Sequence, residues 1–96
     1  MIKSFGDKST ENLFRKRKSR VDRRFPEEII KAALRKLDML NAAIRLDDLR
    51  SPPGNRLEAL KGDLKGFFSI RINEKWRIIF RWDSGEAKDV QIVDYH

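Results

Sequence analysis

Residues 68–82 read FSIRINEKWRIIFRW, and the alternation within this stretch decides the fold. Apolar and polar side chains alternate on both sides of residues 73–75, and such a period of two predicts two β-strands. The three residues between the runs are polar and suit a tight turn. The apolar set consists of Phe68, Ile70, Ile72, Trp76, Ile78, Phe80 and Trp82. We therefore predict a β-hairpin with one apolar face.

Arg71 and Arg77 become neighbours if the hairpin turns about Glu74. The apolar pairs in that register are Ile72 with Trp76, Ile70 with Ile78, and Phe68 with Phe80. The same register places Arg71 opposite Arg77 on the other face, where like charges repel each other. Because a bound anion would relieve that repulsion, we interpret the two arginines as a candidate phosphate site, with Arg81 further along the same face. The alternative is a pair of solvated arginines on an open sheet.

A long amphipathic helix precedes the hairpin. Pro26 suits the first position of a helix, and Glu27 and Glu28 follow at the positive end of the helix dipole. The apolar residues then recur at spacings of three and four: Ile30, Ala33, Leu37, Leu40 and Ile44. This period predicts a helix of roughly five turns whose apolar stripe packs in the core. The segment SPPGN, residues 51–55, follows as a rigid loop.

Shorter elements are predicted at the two ends of the chain. Residues 1–5 alternate and predict a short strand, and Asp7 or Ser9 suits the N-cap of a short helix that contains Leu13 and Phe14. A last strand runs through residues 90–93. The predicted order is β-α-α-β-β-β, an α+β fold with two helices packed against an antiparallel sheet. A chain of 96 residues is expected to form one domain, residues 1–96.

The charge of the chain favours a polyanionic partner. The net charge is +7 and the pI about 10.1, which is typical of proteins that bind nucleic acid. Residues 1–24 carry nine Lys and Arg against three Asp and Glu, so the excess is N-terminal. The residues expected to contact RNA or the ribosome are Arg15, Lys16, Arg17, Lys18, Arg20, Arg23 and Arg24. A solvated loop is the alternative for this stretch.

The composition argues against several other classes of site. The chain has no cysteine and a single histidine, so neither a disulfide framework nor a thiolate metal site is available, and we expect no metal and no cofactor. No apolar run approaches the length of a signal sequence or a membrane span. We therefore expect a cytoplasmic protein without a membrane partner.

Candidate acid–base groups gather at the C-terminus. RNA cleavage by the neighbouring 2′-hydroxyl needs a base, an acid and cations that stabilise the phosphorane, but no metal. The candidate cations are Lys61, Arg71 and Arg77, and the candidate acid–base groups are Asp94, Tyr95 and His96. Phe67 and Tyr95 are candidates for stacking on bases. Trp76 and Trp82 share the apolar face and are therefore expected in the core.

Three blocks of the sequence resemble one protein family. Residues 51–66 (SPPGNRLEALKGDLKG), residues 68–82 and the terminal VDYH, in this order and spacing, are similar to the HigB-type toxins of the RelE superfamily. The opening MIKSF is similar as well, so the resemblance covers essentially the whole chain. It implies a RelE-like fold and a toxin of a type II toxin–antitoxin system that enters the ribosomal A site and cleaves translated mRNA.

The resemblance also implies roles for individual residues. Lys61 matches the lysine of the family's LKG motif, the hairpin arginines match its basic residues, and residues 94–96 match its terminal DYH. In the family's terms, the cations hold the phosphate and the terminal residues move protons or position the nucleotide. Some members carry a histidine just before LKG, where this chain has Glu58 and Ala59. The general base therefore stays open among Glu58, Tyr95 and His96.

The resemblance implies partners too. They are an antitoxin of the HigA type with a helix-turn-helix domain, the ribosome and mRNA, with operator DNA reached through the antitoxin. Two other functions remain compatible with the residues. One is a toxin of the same fold that acts on a protein such as DNA gyrase, against which the arginine pair and the terminal DYH argue. The other is a non-enzymatic RNA- or ribosome-binding module, for which the charge alone would suffice.

Overall fold

The computed structural model describes residues 1–16 and 24–94, which form two helices and one sheet. The elements are the helices α1 (Lys8–Lys16) and α2 (Glu27–Ala42) and the strands β1 (Glu58–Ala59), β2 (Phe67–Arg71), β3 (Trp76–Asp83) and β4 (Glu86–Asp94). The strands form an antiparallel sheet in the order β1-β2-β3-β4. The predicted α+β class is confirmed. Within the described residues, no helix is long and apolar enough to span a membrane.

Strands β2 and β3 form the predicted hairpin in the predicted register. The aligned pairs include Phe68 with Phe80, Ile70 with Ile78, and Arg71 with Arg77. Asn73 closes the turn, because its side-chain oxygen accepts hydrogen bonds from the backbone N–H groups of Lys75 and Trp76 at 2.9 and 2.8 Å. This kind of turn depends on the local sequence alone, which explains why the register was predictable.

Helix α2 differs from its prediction at both ends. Pro26 is the N-cap residue, so the helix begins one residue later than expected. The buried face consists of Ile29, Ala33, Lys36, Leu37 and Leu40, with Ile30 only partly buried. Ile44, predicted to extend the apolar stripe, lies beyond the end of the helix and is 78% exposed, so that part of the prediction is wrong. The chain turns away there because the Asp48 carboxylate accepts hydrogen bonds from the N–H groups of Ile44 and Arg45, each at 2.9 Å.

The N-terminal segment lies along the edge of β4 but does not form a continuous ladder. Two isolated parallel bridges, Ile2 with Ala87 and Phe5 with Val90, take the place of the predicted first strand. The backbone of β4 changes register opposite residues 79–81 and has a positive φ of 52° at Asp89. An irregularity of this kind interrupts a ladder locally. The two-residue strand β1, which the pattern did not predict, is added at the other edge of the sheet.

Helix α1 is held at its start and on its buried face. The Asp7 side chain accepts a hydrogen bond from the Thr10 N–H at 2.7 Å, which confirms Asp7 rather than Ser9 as the cap. The Thr10 hydroxyl in turn accepts a hydrogen bond from the Ile92 N–H in β4 at 3.0 Å. Leu13 points into the core. The helix is therefore attached to β4 by both apolar packing and a buried hydrogen bond.

The core lies between the helices and one face of the sheet. The residues there with no exposed surface include Ala33, Leu37, Leu40, Ile70, Ile78, Phe80 and Ile92. Trp76 and Trp82 pack against this cluster, as predicted, with their rings edge-on to Phe25 and Phe80 at centroid distances of 5.9 and 6.4 Å. The alternation of the strands turns the remaining side chains to the opposite side, which we call the outer face and which carries Ser69, Arg71, Arg77 and Arg81.

Candidate active site

Arg77 is enclosed by the fold rather than solvated. It is only 8% exposed. Its Nε donates a hydrogen bond to Ser69 Oγ at 2.8 Å, and its Nη2 donates one to the backbone oxygen of Arg56 at 2.7 Å. The same Nη2 lies 3.7 Å from Glu58 Oε1. Hydrogen bonds from two edges of the planar guanidinium fix its orientation. Arg77 therefore does not move freely as a solvated surface arginine would.

Arg71 lies directly opposite Arg77 but has a different environment. It is half-buried at the end of β2. In the part of the chain that the structure describes, Arg71 makes no hydrogen bond or ion pair with another residue. Among the described residues, Glu58 places a half-exposed carboxylate beside Arg77. The excess positive charge at this point is the local feature that would attract a phosphate.

Arg81 is neutralised at the other end of the outer face. Its guanidinium lies 4.5 Å from the centre of the Phe67 ring, and its Nε lies 3.4 Å from Asp89 Oδ2. The neighbouring Lys88 donates a hydrogen bond to Asp83 at 3.0 Å. That hydrogen bond, with a second from Ser84, lowers the pKa of the Asp83 carboxyl. Because each cation here has its own carboxylate, this end is less suited to bind a phosphate, and RNA binding by Arg81 stays a prediction.

Glu58 and Lys61 come from the edge strand and the loop after it. Glu58 pairs with Ser69 across β1 and β2, which places it on the outer face beside Arg77. Lys61 is exposed and immediately precedes Gly62, whose φ of +64° favours glycine. Among the described residues, Lys61 makes no hydrogen bond or ion pair. The structure thus brings Glu58 into contact with Arg77, whereas the phosphate contact predicted for Lys61 stays a prediction.

The C-terminal residues are only partly described. Asp94 is the last described residue and pairs with Trp76, and Val93 pairs with Arg77. Paired residues point their side chains to the same side of a sheet. The side chain of Asp94 is therefore on the core side of β4, and that of Arg77 is on the outer side of β3. Both lie at the same end of the sheet. Tyr95 and His96 fall outside the described residues, so their predicted roles stay predictions.

The N-terminal basic stretch is described at its two ends. Arg15 pairs with Glu11 at 3.0 Å, Lys16 is exposed, and Arg24 pairs with Asp7 at 3.4 Å. The remaining members of the stretch, Arg17, Lys18, Arg20 and Arg23, lie outside the described residues. Exposed ion pairs of this kind are weak and exchange readily with other anions. RNA or ribosome contact by these residues stays a prediction.

Sequence reasoning missed the residues that hold Arg77. Ser69 was read only as a polar position of the strand, and the backbone oxygen of Arg56 carries no signal in any sequence. Asn55 and Lys36 were also missed, although a lysine on the apolar face of a predicted helix is itself a usable signal, because buried lysines need a partner. Within residues 1–16 and 24–94, no group of three His, Asp or Glu side chains is arranged to hold a metal ion.

Comparison with known proteins gives a family match and two similar sequences. Residues 3–96 match the model of the HigB-like toxin family, described as the RelE-like toxin of the type II toxin–antitoxin system HigB. Toxin HigB-1 of Vibrio cholerae serotype O1 is 46% identical over 87 residues, which cover 91% of this chain and 90% of that protein. Endoribonuclease HigB of Proteus vulgaris is 32% identical over 96 residues, which cover 100% of both chains.

A solved structure shares the fold at low sequence identity. The YoeB–YefM complex from Staphylococcus aureus superposes with a TM-score of 0.60 at 17% identity, covering 100% of this chain and 98% of that chain. At this identity the likeness concerns the fold alone. The arrangement of two helices on an antiparallel sheet is therefore shared beyond the closely similar sequences.

Proposed function

The chain belongs to the HigB-like family of RelE-like toxins of type II toxin–antitoxin systems, and we propose that it cleaves translated mRNA in the ribosomal A site. Its relatives include a protein named as an endoribonuclease. The observation that carries the proposal is the arginine pair at the end of the sheet, in which an immobilised Arg77 faces Arg71, and Arg71 has no ion-pair partner in residues 1–16 and 24–94. The C-terminal residues leave the sheet at that same end.

The proposed reaction needs only groups of this chain and the RNA. A base removes the proton of the 2′-hydroxyl, whose oxygen attacks the adjacent phosphorus while the bond to the 5′-oxygen breaks. An acid protonates that 5′-oxygen, which leaves a 2′,3′-cyclic phosphate and a 5′-hydroxyl. The negative charge that grows on the phosphorane is stabilised by cations already in place, because no energy is then spent on reorienting them.

Roles follow from these positions. Arg77 supplies the oriented cation, and Arg71 and Lys61 supply accessible ones. Proton transfer falls to Tyr95 and His96 together with Asp94, which lies on the core side of β4 and reaches the phosphate only around the end of the sheet. The base is one of Glu58, Tyr95 and His96. Of these three residues, Glu58 is the one described in contact with Arg77. If Arg77 binds the phosphate, the Glu58 carboxylate lies close to the 2′-hydroxyl whose proton it would accept.

The proposal includes partners. The ribosome holds the message against a small sheet that has few side chains of its own to position RNA, and the basic residues of the N-terminal stretch contact rRNA. Such an action places the protein in the cytoplasm. We also propose neutralisation by a helix-turn-helix antitoxin of the HigA type, which links the toxin to operator DNA. The complex named for YoeB and YefM supports an antitoxin partner for the fold.

The test is cleavage of a defined mRNA in a reconstituted translation system, with and without ribosomes. Cuts inside the reading frame that need ribosomes are the expected result. Arg50→Ala is a matched control, because Arg50 is an exposed arginine that pairs with Asp47 on the surface, at 2.9 Å. Toxicity to cells without any cleavage would overturn the proposal in favour of a protein target such as DNA gyrase. Ribosome binding without toxicity or cleavage would leave a non-enzymatic module.

A further inference from the structure

Asn55 is a fully buried amide in the loop between α2 and β1. Its side chain has no exposed surface. Its Nδ2 donates a hydrogen bond to the Leu49 backbone oxygen at 3.1 Å, and its Oδ1 accepts one from Lys36 Nζ. The Asn55 N–H donates to the Pro52 oxygen at 3.0 Å. The loop is therefore held from inside, by an amide whose donor and acceptor are both satisfied.

Lys36 is an unusual residue for the buried face of α2. It is 8% exposed, and its burial, together with the charge of the neighbouring Arg35, lowers the pKa of the ammonium group. Burying an ammonium is costly unless it is hydrogen-bonded, and an apolar side chain would fill the same place without that cost. Its hydrogen bond to Asn55 is what compensates this burial and connects α2 to the loop.

Arg56, the residue after Asn55, connects this loop to the candidate active site. Arg56 has φ 46° and ψ 55°, a left-handed conformation that side chains other than glycine rarely adopt. A residue stays in that conformation only when its surroundings impose it. The Arg56 N–H donates to the Pro53 oxygen at 3.1 Å, and the Arg56 oxygen accepts the hydrogen bond from Arg77 Nη2 at 2.7 Å. The position of that oxygen depends directly on how Asn55 is held.

We infer that Asn55 and Lys36 are positioning residues, which orient the Arg77 guanidinium through the backbone oxygen of Arg56. The chain of contacts runs from α2 through Lys36 and Asn55 to the Arg56 oxygen and then to Arg77. The consequence for catalysis rests on the proposed ribonuclease function, whereas the orientation of Arg77 is a property of the free protein.

The other contacts of Arg77 indicate what happens to its guanidinium when this series of contacts is interrupted. If the Arg56 oxygen moves, Nη2 loses its shorter hydrogen bond, while the longer one to the Ser69 backbone oxygen at 3.5 Å and the one from Nε to Ser69 Oγ are kept. The Glu58 carboxylate lies 3.7 Å from Nη2. The guanidinium is then held less firmly on its Nη2 side and can shift toward Glu58, so the cation becomes more mobile and more strongly neutralised. Both changes weaken its interaction with a phosphorane.

Nitrogen-15 NMR of the free protein tests the orientation without reference to activity. The variants are Asn55→Ala and Lys36→Met, and the control is Leu37→Ala, which removes a fully buried side chain next to Lys36 on the same helix. The Arg77 signal is assigned by its loss in Arg77→Lys. We expect rotation of the guanidinium about its Nε–Cζ bond to accelerate about tenfold in both variants, because a hydrogen bond to Nη2 hinders it, and to change less than about twofold in the control.

Cleavage by the full-length protein on ribosomes is the second measurement, at a temperature where every variant is folded. We expect kcat to fall about tenfold in Asn55→Ala and Lys36→Met with KM nearly unchanged, and no such fall in Leu37→Ala. Equal rotation rates in all variants, or equal changes in variants and control, would overturn the inference. If Asn55→Ala does not fold, Lys36→Met decides. A parent protein that cleaves no RNA would refute the proposed function, and the NMR result would still decide the orientation.

Discussion

The two ends of the outer face carry the same residue type in opposite electrostatic settings. At one end Arg71 faces Arg77, and the half-exposed carboxylate of Glu58 lies beside Arg77. At the other end Arg81 is paired with Asp89 and stacked on Phe67. The alternation of the strands places all three arginine side chains on the outer face. The difference teaches that alternation places an arginine on a face, while its neighbours decide whether its charge is available to a ligand.

Replacing Arg77 is expected to have the largest effect. Loss of an oriented cation costs about 10²- to 10³-fold in kcat at comparable sites, so Arg77→Ala should almost abolish cleavage in the reconstituted translation assay. The lost hydrogen bonds should lower the free energy of unfolding by about 1–3 kcal/mol. Thermal unfolding is the control, because a variant that does not fold would show that Arg77 is structural instead.

His96→Ala tests whether the arginine pair works with the C-terminal groups. An acid–base group typically contributes about 10²- to 10⁴-fold, and we expect a loss of roughly 10²-fold in cleavage together with loss of toxicity. Ribosome binding, measured by cosedimentation, should be retained. Unchanged toxicity would remove His96 from the site and leave the proton transfers to other residues.

Arg71→Ala tests whether the charge of Arg71 serves RNA cleavage rather than the stability of the fold. We expect cleavage to fall about tenfold, since a phosphate contact made by a half-buried charge without an orienting hydrogen bond is weaker than one made by an oriented group. The free energy of unfolding should change by less than about 0.5 kcal/mol, because Arg71 has no hydrogen-bond or ion-pair partner among the described residues. A large loss of stability in urea unfolding would contradict the contrast with Arg77.

Arg81→Ala should lower the stability of the fold more than it lowers cleavage, which is the reverse of Arg71→Ala. Removing the contact with the Phe67 ring and the Asp89 carboxylate should cost about 0.5–1 kcal/mol of stability. Cleavage should stay within about twofold of the parent, because this charge is already neutralised. A fall in cleavage comparable to that of Arg71→Ala would show that both ends of the outer face bind RNA.

Asp83→Asn is expected to have the smallest effect, visible in the pH dependence of stability. The hydrogen bonds from Lys88 and Ser84 hold the pKa of Asp83 below its ordinary value of 3.8. The stabilisation by the ionised carboxylate is therefore present above pH 3.8 and is lost as the pH falls through the folded-state pKa. Unfolding curves of parent and variant should differ slightly at neutral pH and converge in acid. An equal difference at every pH would mean that the contact is not electrostatic.

Much of the fold could be predicted because its signals are local. The hairpin register follows from alternation and from the Asn73 turn, and the buried face of α2 follows from a helical period. The errors lie where an interaction outside the periodic pattern intervenes. Asp48 draws the chain away after α2 and exposes Ile44, and residues 1–5 form only two bridges because β4 is irregular near Asp89.

By itself, the sequence determined the α+β class, the facing arginines and the positive charge, since periods of two and of 3.6 and the formal charges are properties of neighbouring residues. Only the tertiary structure decided which arginine is immobilised. The acceptors of Arg77 belong to Ser69 and Arg56, which lie 8 and 21 positions away in the chain, and one of them is a backbone oxygen. Every residue has such an oxygen, so no sequence pattern identifies the one that accepts the bond, and only the folded path of the chain brings it to the guanidinium.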